Sequence, residues 1–503
     1  MTKSISIIGA GIAGLAAGCY GQMNGYETQI FEMHDLPGGV CTAWKRKDYT
    51  IDACLHWLVG SNPKSNFYPL WEELGAVQNR QFVNFEEFRR LEDKDGKAFI
   101  IYADLDRLEK HMLELSPEDK NLIESFIGGA RNLTKFNWPV DKAPELYNLF
   151  DAAKMMTGMI PCMGTFMKWR KVSTAELAGW FKNPFLSKAF REAFAGDMDD
   201  FSAFAMQMSL AWQHKKEAGY PVGGSLPFTQ SIEKRYLQLG GKINYKRPVS
   251  KIIVENGKAA GIRLADGTEH HSDIVISAAD GHATIFDMLD GKFTNDKIRG
   301  NYDKLPLFPP LVYVGLGVNR DFPGVPHEIS YLLDKPITIG DKPHQSIGLT
   351  VYNYDKTLAE PGKTVLVAMF NSDYDYWKKL KTDNPQQYGA EKVKIADQLV
   401  AFLDTKFPGL AKQVEMRDVS TPVTWEQYTG NWRGSYEGWL ITVKTFMMRM
   451  SKELPGLQNF YMAGQWVEPG GGVPAAAMSA RNVMQIICKR DKKKFTTSKP
   501  AVG

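Results

Sequence analysis

Ser4-Ile5-Ser6-Ile7-Ile8-Gly9-Ala10-Gly11-Ile12-Ala13-Gly14-Leu15-Ala16-Ala17 is the stretch that decides the fold of this 503-residue chain. Ser4 to Ile8 is short, β-branched and almost wholly apolar, which predicts a buried parallel strand. A complete G-x-G-x-x-G follows from Gly9 to Gly14, and Leu15 to Tyr20 continues as a helix that Gly25 ends. Glu27-Thr28-Gln29-Ile30-Phe31 forms a second strand with Glu32 at its end. Gly9 permits the tight turn, Gly11 lets the backbone approach a pyrophosphate, and Gly14 allows close helix–strand packing. The helix start turns N–H groups and a positive dipole end toward phosphates. Glu32 stands where an acid accepts hydrogen bonds from ribose hydroxyls and disfavours a 2′-phosphate. The motif predicts a dinucleotide without separating FAD from NAD.

Three further stretches extend the reading. Leu36-Pro37-Gly38-Gly39-Val40-Cys41-Thr42-Ala43 brings adjacent glycines where the chain passes a bound cofactor, and Tyr49 to Trp57 reads as an apolar strand and turn. In the middle, Val249 to Val254 and Gly257 to Leu264 read as strands, Asp266-Gly267 as a hairpin turn, and Ser272 to Ala279 as another buried strand. Near the end, Phe460 to Met462 reads as a strand leading into Gly464. Pro469-Gly470-Gly471-Gly472-Val473-Pro474 then opens a helix through Val483 and Ile487. Bare N–H groups at such a helix start suit an anionic or electron-rich ring edge.

The E-x-x-x-x-x-G-G run from Glu32 to Gly39 resembles the amine-oxidase-like flavoproteins. Gly219-Tyr220-Pro221-Val222-Gly223-Gly224-Ser225 and the C-terminal A-G-Q-W…P-G-G-G-V-P resemble the phytoene desaturase, carotenoid isomerase and retinol saturase branch. The resemblance implies FAD. Gly9, Gly11, Ile12, Ala13 and Gly14 would lie at its pyrophosphate, Glu32 at a ribose, and Gly38, Gly39 and Val40 along the cofactor. Val249 would lie near the adenine, with Ala278 and Gly464 at the ends of neighbouring strands, and Gly471 and Val473 at the helix terminus facing the flavin pyrimidine. The chain departs from the desaturase pattern at Asp52-Ala53-Cys54 and at Leu55-His56-Trp57.

The expected fold is α/β, a Rossmann-like FAD-binding domain with a discontinuous α+β substrate domain. Residues 1–75, 221–299 and 451–495 are assigned to the first, 76–220 and 300–450 to the second, and 496–503 to a tail. Helical spacing is read over Asp106 to Leu115, Glu118 to Leu133 and Thr174 to Phe181, with Ser116-Pro117 as an N-terminal cap. Leu311 to Leu316 and Thr364 to Met369 read as strands of a sheet floor. Met155, Met156, Met159, Met163, Met167, Met198, Met206 and Met208 lie among aromatics. Three readings stand for them: a cavity for a floppy apolar ligand, an ordinary helical core, or a monotopic membrane patch edged by Lys154 and Lys168 to Lys171.

The resemblance implies an FAD-dependent oxidoreductase acting on carbon–carbon bonds of a long apolar substrate, a carotenoid- or retinoid-like polyene or an acyl lipid. Desaturation, saturation and double-bond isomerisation all fit. The alternatives are a flavin amine oxidase and a non-catalytic flavin-binding protein at a membrane. His56 is a candidate for proton transfer, with a structural histidine as its alternative. Arg433 is a candidate clamp for a carboxylate, against a surface ion pair, and Glu468 a candidate base, against a cap.

The balance of 61 basic and 57 acidic residues, a net +4, gives no basic stripe for nucleic acid. The cluster Lys489 to Lys494 reads as a solvated tail, with attraction to an anionic membrane as the sharper alternative. Five scattered cysteines without a C-x-x-C point to a reducing compartment and no metal. No signal peptide and no apolar run of spanning length is read, so a cytoplasmic protein, with peripheral attachment to a membrane's inner face as an option, is expected. Oligomeric state is not legible.

Overall fold

The structure, a computed structural model, describes residues 2–194, 198–446 and 448–500. Ser4–Ile8 is the central strand of a five-stranded parallel sheet. The strand order is Lys242–Asn244, Glu27–Phe31, Ser4–Ile8, Ile274–Ser277, Phe460–Met462. A parallel sheet must be covered on both faces, because its connections cross over it. Ile5, Ile7, Ile30 and Ile276 pack with the motif helix Ile12–Met23 and with the helices Ser225–Gln238 and Gly472–Arg490. Ile8, Phe31, Val275 and Met462 pack instead on an antiparallel meander of Val249–Glu255, Lys258–Leu264 and Glu269–His271.

A seven-stranded mixed sheet forms the second unit. Its order is Val414–Ser420, Leu311–Val318, Thr364–Asn371, Lys342–Val351, Glu328–Ile339, Glu87–Glu92, Ala98–Tyr102. The two strands expected from their β-branched runs pair antiparallel, Val312 opposite Phe370 and Leu316 opposite Leu366. One face carries the helix Pro385–Lys406 through Ile395, Leu399 and Leu403. The other receives the hairpin Ala43–Arg46 and Tyr49–Asp52, whose Tyr49 and Ile51 settle over Gly315 and Gly317. A glycine notch in an otherwise bulky strand is what lets the hairpin approach.

The helical insert contains Leu105–Leu115, Lys120–Leu133 and Thr174–Gly179 close to the expected positions. Ser116 does not cap through an N–H. Its hydroxyl donates to Asp119, whose carboxylate accepts from the Lys182 N–H at 2.9 Å. Met206 is buried in the helical core, whereas Met156, Met163 and Met167 are exposed. The insert is also not wholly helical, since Glu87–Glu92 and Ala98–Tyr102 join the second sheet, Leu91 opposite Ser330.

The basic run ends the helix Gly472–Arg490 and is mostly exposed, but it is held down at several points. Asp491 pairs with Lys3 at 2.6 Å, the Thr496 N–H donates to Asn24 at 2.8 Å, and Lys499 pairs with Glu72 at 2.7 Å.

The hairpin notch gives a stability prediction. A Cβ on Gly317 would sit 2.5 Å from the Tyr49 ring. Gly317→Ala is expected to cost about 1–3 kcal/mol through overpacking, read as a lower urea midpoint with an unchanged slope.

Candidate active site

The glycine motif sits where the parallel strands end, the usual location of a ligand crevice in such sheets. Gly9 has φ +92° and donates its N–H to Phe31 at 2.8 Å. A Cβ on Gly14 would lie 1.9 Å from the Gly9 carbonyl oxygen, so helix and turn touch there. The second glycine pair closes on the first. Gly38 donates its N–H to Ala10 at 2.9 Å, and Gly11 and Gly38 form a parallel bridge. Ala278 donates to Ile8 at 2.9 Å, Gly464 faces Ala13, and Val40 is half-buried beside them.

Glu32 is buried and works first on its own chain. Its carboxylate accepts from the Ala10 N–H at 2.7 Å and the His34 N–H at 2.8 Å. Two bonds leave an ionised carboxylate with acceptor capacity for ribose hydroxyls. Val249 begins the meander strand beyond Arg247, whose N–H donates to the Glu32 carbonyl at 2.8 Å. A cleft of about 330 Å³ lined by Arg247, Pro248, Leu264 and Asp266 opens next to it.

The C-terminal glycine loop has Gly470, Gly471 and Gly472 at φ +95°, +50° and +79°, and leads directly into the helix Gly472–Arg490 with Val473 buried in its first turn. The first N–H groups of a helix have no acceptor within it. Glu437 packs beneath this loop, a Cβ on Gly471 falling 2.4 Å from the Glu437 carbonyl oxygen. Burial pushes the Glu437 carboxyl up to about 7.

Asp52 joins three segments under the site. Its carboxylate accepts from the Ser225 N–H, from the Ser225 hydroxyl at 2.6 Å and from the Cys54 N–H at 3.1 Å. Tyr313 donates to the Asp52 carbonyl. Desolvation raises the Asp52 carboxyl, and these hydrogen bonds and His56 oppose the rise.

The expected catalytic residues are not brought together. His56 stands within electrostatic reach of Asp52, His327 and Glu328. Burial works to raise Glu328, yet Arg89 and the two histidines hold it below the usual carboxylate range. Arg433 turns outward to Asp375 at 2.5 Å and over the Tyr374 ring, the surface ion pair that was its alternative reading. Glu468 pairs with buried Lys452 at 2.9 Å, and Lys452 also holds Glu145 at 2.8 Å. Sequence reasoning missed Glu437, Asp52 and Glu328. The only local sign of Glu437 was one acid flanked by glycines and aromatics in Gly434-Ser435-Tyr436-Glu437-Gly438-Trp439. Among the described residues no group of three His, Cys, Asp or Glu is arranged to hold a metal.

Comparison with known proteins agrees with this geometry. Residues 12–488 match the family of flavin containing amine oxidoreductases, and the chain belongs to that family. It is 25% identical over 498 residues to a chloroplastic prolycopene isomerase of Daucus carota, covering 94% of this chain and 78% of that one. It is 23% identical to a neurosporene-forming phytoene desaturase of Cereibacter sphaeroides, covering 94% and 92%. In fold it is similar to an oxidoreductase from Methanosarcina mazei, with TM-score 0.60, 20% identity and 96% and 100% coverage. The protein is an FAD-dependent oxidoreductase. Its glycine turns fit the cofactor, because a Cβ on Gly11 or Gly39 would meet no protein atom nearer than 3.8 Å, which leaves open space over both.

Two outcomes follow. Gly14→Ala is expected to yield protein with little bound FAD, measured as the ratio of flavin to protein absorbance. Asp280, just past the strand Ile274–Ser277, is lifted by burial to about 7, against the Ala283 and Trp432 N–H groups. Its folded-state value exceeds the ordinary carboxylate value of about 4, so its stabilising contribution is full below that pH and is lost as pH rises through about 7. Asp280→Asn is therefore expected to flatten the fall in Tm between about pH 4 and pH 7; an unchanged profile contradicts this.

Proposed function

We propose that the protein desaturates or isomerises carbon–carbon bonds of a long polyene of the carotenoid type, taken from a lipid phase. The observation that carries the reading is an exposed apolar face on the helical insert. Leu149 is 92% exposed, Phe150 76%, Ile160 67% and Met156 63%. They lie on or just beyond the helix Leu149–Met159, with Lys154 and Lys168 beside them. Contiguous apolar exposure of this kind marks an interaction surface, and cationic side chains at its edge suit anionic headgroups. A polyene is nearly insoluble in water, so an enzyme that takes it up gains from resting on the phase that holds it. Two relatives are named for carotenoid chemistry, a prolycopene isomerase and a phytoene desaturase, and each is matched over 94% of this chain. No helix among the described residues is long and apolar enough to cross a membrane. Attachment to the cytoplasmic face by this patch is thus part of the proposal.

In this reading residues 1–75, 221–299 and 451–495 hold the cofactor, and 76–220 and 300–450 hold the substrate. Bound FAD supplies hydride transfer. The chain supplies the rest. Gly9 to Gly14 receive the pyrophosphate, Glu32 a ribose, Gly38 to Val40 and Gly464 the length of the cofactor, and Val249 and Ala278 its nucleotide side. Gly471 and Val473 present the helix terminus, whose partial positive charge favours an electron-rich ring. His56, beside Glu328 and His327, orients the substrate end. Trp57 and Phe88, 6.3 Å apart edge to face, offer aromatic surface nearby.

The test is anaerobic incubation of FAD-loaded protein with a panel of cis and trans polyenes, acyl lipids and amines. Loss of two hydrogens or a shifted polyene spectrum at constant mass is expected. Bleaching of the flavin by amines alone sinks the reading. For the surface, Leu149→Ser with Phe150→Ser and Ile160→Ser is expected to abolish flotation with anionic liposomes while leaving Tm within a few degrees. Undiminished flotation removes the patch from the proposal.

A further inference from the structure

We infer that Glu437 is the proton-exchanging group of the cofactor cleft. The inference rests on the polyene reading and assigns its acid–base partner.

Glu437 lies on the glycine-flanked turn Gly434 to Gly438, and its backbone and Cβ press against Gly471. A Cβ built on Gly472 would lie 3.6 Å from the Glu437 Oε1, so the carboxylate is aimed at the start of the helix Gly472–Arg490. Its charge is also felt by Cys54, on the turn that leaves the hairpin strand Tyr49–Asp52. The carboxyl therefore stands between the C-terminal glycine loop and the hairpin turn, two of the segments that bound the cleft.

Every other acid around the site is engaged. Asp52 holds Ser225 and Cys54, Glu32 holds Ala10 and His34, Glu328 holds Arg89, and Glu468 holds Lys452. No hydrogen bond or ion pair joins the Glu437 carboxylate to any described residue. Glu437 is half-buried, and a carboxyl held at a cofactor loop with no protein partner among the described residues is free for proton transfer. Burial alone raises it to about 7, the range in which one group both takes and gives a proton at neutral pH.

The titratable groups facing it are few. The hairpin turn presents Cys54, with Cys41 behind it, and burial and the mutual contact of the two thiols keep Cys54 protonated. The glycine loop brings Glu468, already neutralised by Lys452, and the first turn of the following helix carries no acid. None of these supplies a cation that would hold Glu437 ionised.

The step balances as follows. One substrate carbon loses hydrogen with its electron pair to the oxidised flavin. The C–H bond of the adjacent carbon breaks, its proton passes to a Glu437 oxygen, and its electron pair becomes the new C=C π bond. The flavin gains two electrons and Glu437 gains one proton. In the reverse direction Glu437 returns the proton to carbon.

The experiment compares wild type, Glu437→Gln and Glu437→Asp as FAD-bound proteins. Infrared difference spectra of the resting protein are expected to show a protonated carboxyl band that titrates near pH 7 and is missing in Glu437→Gln. With polyene, Glu437→Gln is expected to lose about 100-fold or more in kcat with KM little changed. The inflection near pH 7 in the kcat profile disappears, and solvent deuterium no longer enters the adjacent carbon. Glu437→Asp restores part of the rate and keeps an inflection. The proposal is overturned by a resting band insensitive to Glu437→Gln, by an unchanged kcat–pH profile, or by loss of FAD from both variants, which makes Glu437 structural. If wild type consumes no polyene, the substrate reading fails, while the resting-state carboxyl titration still judges Glu437 by itself.

Discussion

Asp52 is the interaction on which the site depends. It is fully buried, and its carboxylate binds the backbone and hydroxyl of Ser225, 173 residues further on. A Cβ on Gly224 would lie 2.1 Å from Asp52 Oδ2, so only glycine lets the helix Ser225–Gln238 begin there. The same residue accepts from Cys54 and receives Tyr313 from the second sheet on its carbonyl. The nucleotide hairpin, a helix of the first unit and a strand of the second are thus fixed to one side chain. Breaking one partner of a buried charge network typically costs several kcal/mol, because the remaining charge stays desolvated.

Around that anchor the molecule separates two tasks. The parallel sheet and its glycine turns make a crevice of backbone groups, suited to a large anionic cofactor. The second sheet lays an aromatic floor behind it, with Tyr220, Tyr313, Tyr352 and Trp425 packed together. Tyr220 donates to Asp355 at 2.7 Å, and Asp355 also accepts from the Gly223 N–H at 2.8 Å, so the floor is tied to the segment that precedes the Asp52 partner. Charge near the cleft is kept sparse: Glu328 is paired with Arg89, Glu468 with Lys452, and Asp52 and Glu32 with backbone N–H groups, while Glu437 has no such partner among the described residues.

The nucleotide unit was legible because its evidence is local. Strand, glycine turn, helix, strand and acid follow one another within Ser4 to Glu32, and each demands a residue type that differs from its neighbours. The strands Leu311–Val318 and Thr364–Asn371 were legible for a similar reason, being continuous β-branched runs. Glu87–Glu92 was not, because a charged strand such as Glu87-Phe88-Arg89-Arg90-Leu91-Glu92 gains its place only by pairing with residues more than two hundred positions away. Long-range partners such as Asp375 for Arg433 and Lys452 for Glu468 were not legible, because no spacing rule reveals them. Composition left the methionine stretch open between cavity, core and surface, and its exposure came only from the packing of its neighbours Cys162 and Trp169 into the helical core.

The outermost strand of the parallel sheet, Phe460–Met462, and the helix Gly472–Arg490 come more than 180 residues after the neighbouring strand Ile274–Ser277 in the chain. Until they arrive, one edge of the sheet is unpaired and the C-terminal glycine loop is missing. A growing chain consequently carries its first nucleotide turn without a complete cradle until those later residues are made. Cofactor capture therefore waits on residues made long after the first nucleotide turn.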